Sequence, residues 1–373
     1  MATEISPDGL ALRTGRRQRA LAQMEAHDID ILVLGRQANV RYVTGAPQLW
    51  IGGTRPFGPV CVVVRATGEI YLNSTADEGI PEEIGRDRLY GLAWNPMTLI
   101  TVLKNVDGAS TARRVGTDAL TPTFATLLPL AFPSAEFVDG ELAMRTARRV
   151  KTLDEVAAMA TALRVAERGI AAAVAELQPG LSEQTLAGAV LEAMAAGGVS
   201  TPATQDAAWV TSREHPWRRA TGDGRVRSGD LVAFTAGALA DGYVGEVGRT
   251  WPVGDAENGS ARKLYQRSNK LWDSLIAACS PSARASDLLA AYDRVGEPLP
   301  PMAVAHGLGL GFDPPVVCGQ LPITAEQERL DAGMVLALTG YVWQEGVGGV
   351  LRRDAVAITD DGPELLTASP SWQ

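Results

Sequence analysis

SGDLVAFTAGALADGYVGEVGRT, residues 228–250, reads as two short strands turned back on each other. Gly229-Asp230 makes a tight turn, residues 231–234 form an apolar run, and a glycine-bounded connection covers residues 236–242. The second run ends on Arg249-Thr250. Two runs rich in β-formers joined by turn residues predict a hairpin. The pattern returns in GMVLALTG, residues 333–340, where Gly333 takes the place of Gly229 and Thr339 that of Thr235. This spaced echo suggests two related halves facing a shared cleft.

Outward from that stretch, the 373 residues are enough for two domains, each with its own hydrophobic core. A net charge of −9 and a pI near 5.0 argue against nucleic acid as the main partner. No run approaches the roughly 20 apolar residues of a membrane span, and MATEISPDG lacks the apolar centre of a signal peptide. Cys61, Cys279 and Cys318 are far apart and odd in number, which suits neither a disulfide framework nor a zinc site. The expectation is a globular protein of the reducing cytoplasm, with no membrane contact and no bound cofactor.

The N-terminal part alternates helices and strands. Residues 11–27 suggest a surface helix, 30–34 a buried strand, and 40–43 a short helix stopped by Gly45. Residues 59–64 and 69–72 read as paired strands across Ala66-Thr67-Gly68. The alternation argues for an α/β domain over residues 1–148. In the second domain, residues 149–373, Thr152 with Asp154 and Glu155 marks a helix start. The alanine-rich run 156–177 stops at Pro179-Gly180, a second helix starts at Ser182, and further helices fit 259–279 and 284–293.

The residues of the hairpin, with His306-Gly307-Leu308-Gly309-Leu310, AGMVLALTG at 332–340 and LRRDAVAITDDGPELLT at 351–367, resemble the creatinase, prolidase and aminopeptidase P family. The resemblance runs from about residue 10 to the end. It implies an α+β chain: a pita-bread C-terminal domain behind a smaller α/β creatinase-type N-terminal domain. Metallopeptidases of that family hold two divalent ions with two aspartates, a histidine and two glutamates. At the matching positions this sequence has Thr235, Glu246, His306, Thr339 and Arg353. Hard divalent ions need several carboxylate, imidazole or water ligands converging on one point. With two candidate ligands and a guanidinium that does not deprotonate, the expectation is no metal.

The resemblance also implies a homodimer in which an arginine of an N-terminal loop reaches the neighbouring cleft and holds a substrate carboxylate; Arg55, in WIGGTRPFG at 50–58, matches it. A planar guanidinium suits that role through bidentate pairing, and an ion pair at a surface or subunit interface is the alternative. The family's loop histidine falls on Arg218, with His215 three residues upstream; either could serve, or His215 is an ordinary loop residue. Tyr243, Thr235 and Thr339 complete the expected substrate-binding set. His306 is the candidate proton carrier, because imidazole moves protons near neutrality. Glu246 would orient it and Arg353 would supply fixed positive charge; alternatively Glu246 only neutralises a buried Arg353. The reading is a metal-independent, creatinase-like hydrolase of C–N bonds in a small carboxylate-bearing molecule. Its competitors are a lyase, isomerase or cyclase on the same fold, a non-catalytic binding protein, and an Xaa-Pro metallopeptidase.

Overall fold

The computed structural model describes residues 9–46, 58–74, 79–91, 95–199, 202–204, 207–254, 259–320 and 328–372. Two compact units divide the chain, Met1–Arg149 and Val150–Gln373. The first runs α1 (Leu10–Ala26), β1 (Ile31–Leu34), α2 (Gln37–Thr44), β2 (Cys61–Val64), β3 (Ile70–Asn73), β4 (Leu89–Tyr90), α3 (Pro96–Lys104), β5 (Arg114–Thr117), α4 (Pro122–Leu127), β6 (Glu136–Asp139) and α5 (Gly140–Arg149). Its sheet has the order β4-β3-β2-β1-β5-β6 among the described residues. Helix α2 stops where Gly45 turns left-handed at φ 68°, as the glycine signal predicts.

The second unit runs α6 (Leu153–Glu176), α7 (Glu183–Ala196), β7 (Ala208–Val210), β8 (Leu231–Ala240), β9 (Tyr243–Pro252), α8 (Gly259–Ala277) and α9 (Ser286–Val295). The strands β10 (Ala305–Leu308), β11 (Phe312–Val317), β12 (Val335–Gln344), β13 (Gly348–Thr359) and β14 (Gly362–Leu365) follow. They form one sheet, ordered β11-β10-β12-β13-β9-β8-β7, with β14 paired to β13. Thr152 caps α6 through a capping box with Glu155, which satisfies two of the helix's orphan donors.

The hairpin differs from the sequence expectation in one respect. Strand β8 continues to Ala240, and the connection is only Asp241-Gly242, with φ of 49° and 81°. Positive φ at both central residues is the type I′ signature, whose twist matches the flanking strands. Ala236, Gly237 and Ala238 have small side chains and read as a loop, yet each pairs in register with β9.

Alternation along these strands separates two faces. Gly340 of β12 faces Leu271, Trp272 and Leu275 of α8, and Gly245 of β9 faces the backbone of Ala162 and Leu163 in α6. The main core of this unit lies on that helix-covered side, built from Leu264, Leu271, Leu275, Leu336, Leu338, Val356 and their neighbours. A Cβ on Gly245 would lie 2.5 Å from the Ala162 carbonyl carbon and the Leu163 nitrogen. Gly245→Ala must therefore push α6 off the sheet and is expected to cost about 1–3 kcal/mol, measurable by urea unfolding; an unchanged midpoint would refute this packing.

Candidate active site

The residues singled out at the five ligand positions gather on the face opposite the helices. Thr235 of β8 pairs with Gly248 of β9, Gly248 with Arg353 of β13, and Arg353 with Thr339 of β12. These four positions form one row across four strands. The next row holds Glu246, opposite Gly237, and His306, opposite Ala337, which itself pairs with Ala355. Three strand intervals separate Glu246 from His306, roughly 14 Å at the backbone. The two alanines between them let both side chains lean inward, and His306 Nε2 comes to 3.6 Å from Glu246 Oε2.

Arg353 fills the space between the rows. Its Nη1 donates to Glu246 Oε2 at 3.1 Å and its Nε donates to Thr339 Oγ1 at 2.9 Å. Gly248 makes this crossing possible, since a Cβ there would sit 3.0 Å from Arg353 Cβ. The adjacent arginine goes the other way. Arg352 lies 4.1 Å over the Trp272 ring of α8 and donates to Asp354 Oδ2 at 3.0 Å. Asp354 also accepts from Arg249 Nη2 at 2.5 Å and from Thr367 Oγ1 at 2.7 Å. Period-two alternation thus decides which guanidinium enters the site.

His306 owes its aim to the strand it sits on. A bulge falls between His306 and Gly307, and bulges commonly re-aim a side chain. Gly307 has no room for a Cβ, which would meet the Pro314 and Asp313 carbonyl oxygens at 2.5 and 2.7 Å. Asp313, opposite Gly307 on β11, is buried and ion-paired with Lys151 at 3.2 Å.

Glu246, His306, Thr235 and Thr339 are all buried, whereas the Arg353 side chain keeps 18% exposure. Burial pushes the Glu246 carboxyl up, but the neighbouring His306 imidazole and the Arg353 charge together outweigh it and hold the group below its ordinary value. Glu246 is therefore a carboxylate near neutrality, sandwiched between an imidazole and a guanidinium.

Tyr243 points to the helix side, where its buried hydroxyl donates to Glu155 Oε1 at 3.1 Å; residues 243 and 246 differ by an odd step and so fall on opposite faces. His215 and Arg218 are exposed on the loop after β7. Arg55 lies outside the described residues. What the sequence reading missed is a row of aromatic side chains beside Arg353. Ala337, Thr339, Tyr341 and Trp343 alternate onto the open face of β12, and that alternation was the available signal.

The metal ions implied by the resemblance do not fit this donor set. Glu246 is the one carboxylate at the five positions, and it already accepts from Arg353. Among the described residues no group of three or more His, Cys, Asp or Glu is placed to hold an ion. A fixed cation in the middle of the cluster opposes a second one.

Comparison with known proteins agrees with the architecture. The sequence profile of metallopeptidase family M24 matches residues 157–360, and that of the creatinase/prolidase N-terminal domain matches residues 16–150. The chain is 25% identical to an uncharacterized peptidase of Staphylococcus aureus over 62% of this chain and 66% of that protein. It is 24% identical to an Xaa-Pro dipeptidase of Pyrococcus horikoshii over 92% of this chain and 94% of the relative. The solved prolidase of Pyrococcus horikoshii OT3 superposes with a TM-score of 0.76 at 19% identity, covering 95% of this chain and 99% of that one; likeness at that identity speaks for the fold alone. No helix among the described residues is long and apolar enough to cross a membrane. With both profiles matched in order along one chain, this protein belongs to metallopeptidase family M24 and carries a creatinase/prolidase N-terminal domain.

Proposed function

We propose that the protein hydrolyses a C–N bond in a small carboxylate-bearing molecule without a metal ion. The observation that carries this reading is the placement of Arg353, bonded to Glu246 and Thr339 where the family's metallopeptidases bind divalent ions. His306 takes a proton from the attacking water and returns it to the leaving nitrogen. Glu246 orients the imidazole and stabilises it while it is charged. Arg353 spends Nε and Nη1 within the cluster, and Nη2 takes no acceptor among the described residues. That outer edge faces the oxygen on which charge develops, and a fixed donor there lowers the barrier without reorganising.

The names of the relatives favour a second reading, an Xaa-Pro dipeptidase. Against it stands the donor set, which offers one carboxylate and one imidazole. A panel of Xaa-Pro dipeptides, N-acyl amino acids and ureido acids, assayed with and without EDTA, separates the two. The expected result is turnover that survives chelation, in protein carrying less than about 0.1 Mn, Zn, Co or Fe per chain by elemental analysis. Dipeptide hydrolysis lost to EDTA and restored by Mn²⁺ or Co²⁺ would establish the dipeptidase reading instead.

A further inference from the structure

The site residues come from two halves of one sheet, and the join between the halves runs through them. Thr235 and Glu246 lie on β8 and β9, whereas His306, Thr339 and Arg353 lie on β10, β12 and β13. Within each half the ladders are long: β8 pairs with β9 over ten positions, and β12 with β13 over ten. Between the halves, among the described residues, β9 and β13 pair only at Gly248 and Arg353. Side chains supply the rest of the join. Thr250 Oγ1 accepts from the Leu351 N–H at 2.8 Å and donates to the Leu351 carbonyl at 3.2 Å. Arg249 Nη1 donates to the Gly248 carbonyl at 2.8 Å and to the Arg353 carbonyl at 2.9 Å.

Arg249 is itself held by the segment that follows β14. The side chains of Arg249 and Asp354 are both buried. Arg249 Nη2 donates to Asp354 Oδ1 at 2.5 Å, and its Nε and Nη2 donate to the Ser369 carbonyl at 3.2 and 2.8 Å. Residues 366–372 bond to both halves. On the β13 side the Leu366 N–H donates to the Ala355 carbonyl at 2.9 Å, and Thr367 Oγ1 donates to Asp354 at 2.7 Å. On the β9 side the Ala368 and Ser369 N–H groups both donate to Glu167 Oε1 of α6, at 2.5 and 2.6 Å. Trp372 then packs on Tyr265 of α8 with ring centroids 4.6 Å apart, and the Tyr265 hydroxyl donates to the Thr250 carbonyl at 2.7 Å. The segment thus ties the halves together across the join that carries Arg353.

We infer that Arg249 is a positioning residue: with residues 366–372 as a strap, it fixes the β13 backbone at Arg353 and so holds that guanidinium against Glu246. An arginine suits the task, since its donors sit on three nitrogens in one plane. Here they meet the carbonyls of Gly248, Arg353 and Ser369 and the carboxylate of Asp354 at once. A lysine in its place keeps the ion pair with Asp354, but a single ammonium cannot also span the three carbonyls. With one ladder pair between the halves, loss of that fork lets β13 shift relative to β9. The 3.1 Å contact of Arg353 with Glu246 crosses the same join and loosens with it. This holding role is independent of the reaction the site performs.

A double-mutant cycle repeated in several backgrounds of the full chain tests this without turnover. Glu246→Gln, Arg353→Met and the double variant, unfolded in urea, give the coupling between the two side chains. In the parent background that coupling should reach roughly 10-fold in the unfolding constant of the C-terminal unit. With Arg249→Lys it should fall to about 3-fold or less. Glu167→Ala, which releases the strap from α6, should shift it in the same direction. Leu275→Val, a change in the helix-side core, should lower stability and leave the coupling at its parent value. Unaltered coupling in both Arg249→Lys and Glu167→Ala, with stability reduced, overturns the inference, because Arg249 then only stabilises the fold. An equal fall in Leu275→Val, or no coupling in the parent, overturns it as well. Should Arg249→Lys not fold, Glu167→Ala decides by the same criterion.

Discussion

Arg353→Glu is expected to lower the melting temperature of the C-terminal unit by roughly 6–12 °C, with no recovery on adding Mn²⁺. Breaking a buried ion pair costs about 3–5 kcal/mol, and the lower end applies because Arg353 retains 18% side-chain exposure. For a unit of this size each kcal/mol moves the midpoint by about 2–4 °C. The substitution strands Glu246 beside a new carboxylate, with Thr235 and Thr339 contributing only hydroxyls, so a divalent ion still lacks ligands. Adding Thr235→Asp and Thr339→Glu to the same chain restores two more carboxylates, and Mn²⁺ should then raise the melting temperature. The single variant melting like the parent, with and without Mn²⁺, would mean that Arg353 does not hold the cluster together.

The pH dependence of the same pair carries a sign that can be checked. Glu246 titrates below its ordinary value in the folded chain, because the nearby His306 imidazole and the Arg353 charge outweigh burial. A depressed carboxylate contributes stability that is fully present above the ordinary carboxylate range, near about 4.3, and is lost as pH falls through the folded value. In Arg353→Glu two neighbouring carboxylates raise each other instead. Stability then increases as pH falls from about 7 toward 5, a window in which the parent's Glu246 contribution stays constant. Parallel slopes in the two proteins would show that Glu246 does not interact with residue 353.

The strands that build the site were legible because they alternate or run apolar between glycines. Gly229 and Gly333, at φ 83° and 87°, open β8 and β12 as the echo between them suggested. The length of β8 was not legible, since Ala236-Gly237-Ala238 offers no side chain that distinguishes a paired strand from a loop. The face on which each arginine lies was also hidden. Arg352 and Arg353 are chemically the same, and only the partners, Trp272 on one side and Glu246 on the other, tell them apart. Tyr243 was misplaced for the same reason: a strand residue three positions from Glu246 is near in sequence and faces the other way. The aromatic row escaped because its members come from β7, a loop and β12, and only the sheet brings them together.

His306→Ala is expected to reduce kcat by about 10²–10⁴-fold, the usual contribution of a positioned proton-transfer group. The physical basis is the carboxylate of Glu246 at 3.6 Å from Nε2, close enough to stabilise the imidazolium that forms during the reaction. KM should change little, because Arg353, which holds the substrate in this reading, is left in place. A purely structural histidine makes a different forecast: losing a buried side chain from β10 would lower the melting temperature and depress binding and turnover together. Exogenous imidazole discriminates further, since it can enter the space vacated by the ring and carry the proton itself. Partial return of kcat with added imidazole, at unchanged KM, would mark proton transfer as the lost function. Full activity in the alanine variant would remove His306 from the mechanism and leave Glu246 with no imidazole to orient.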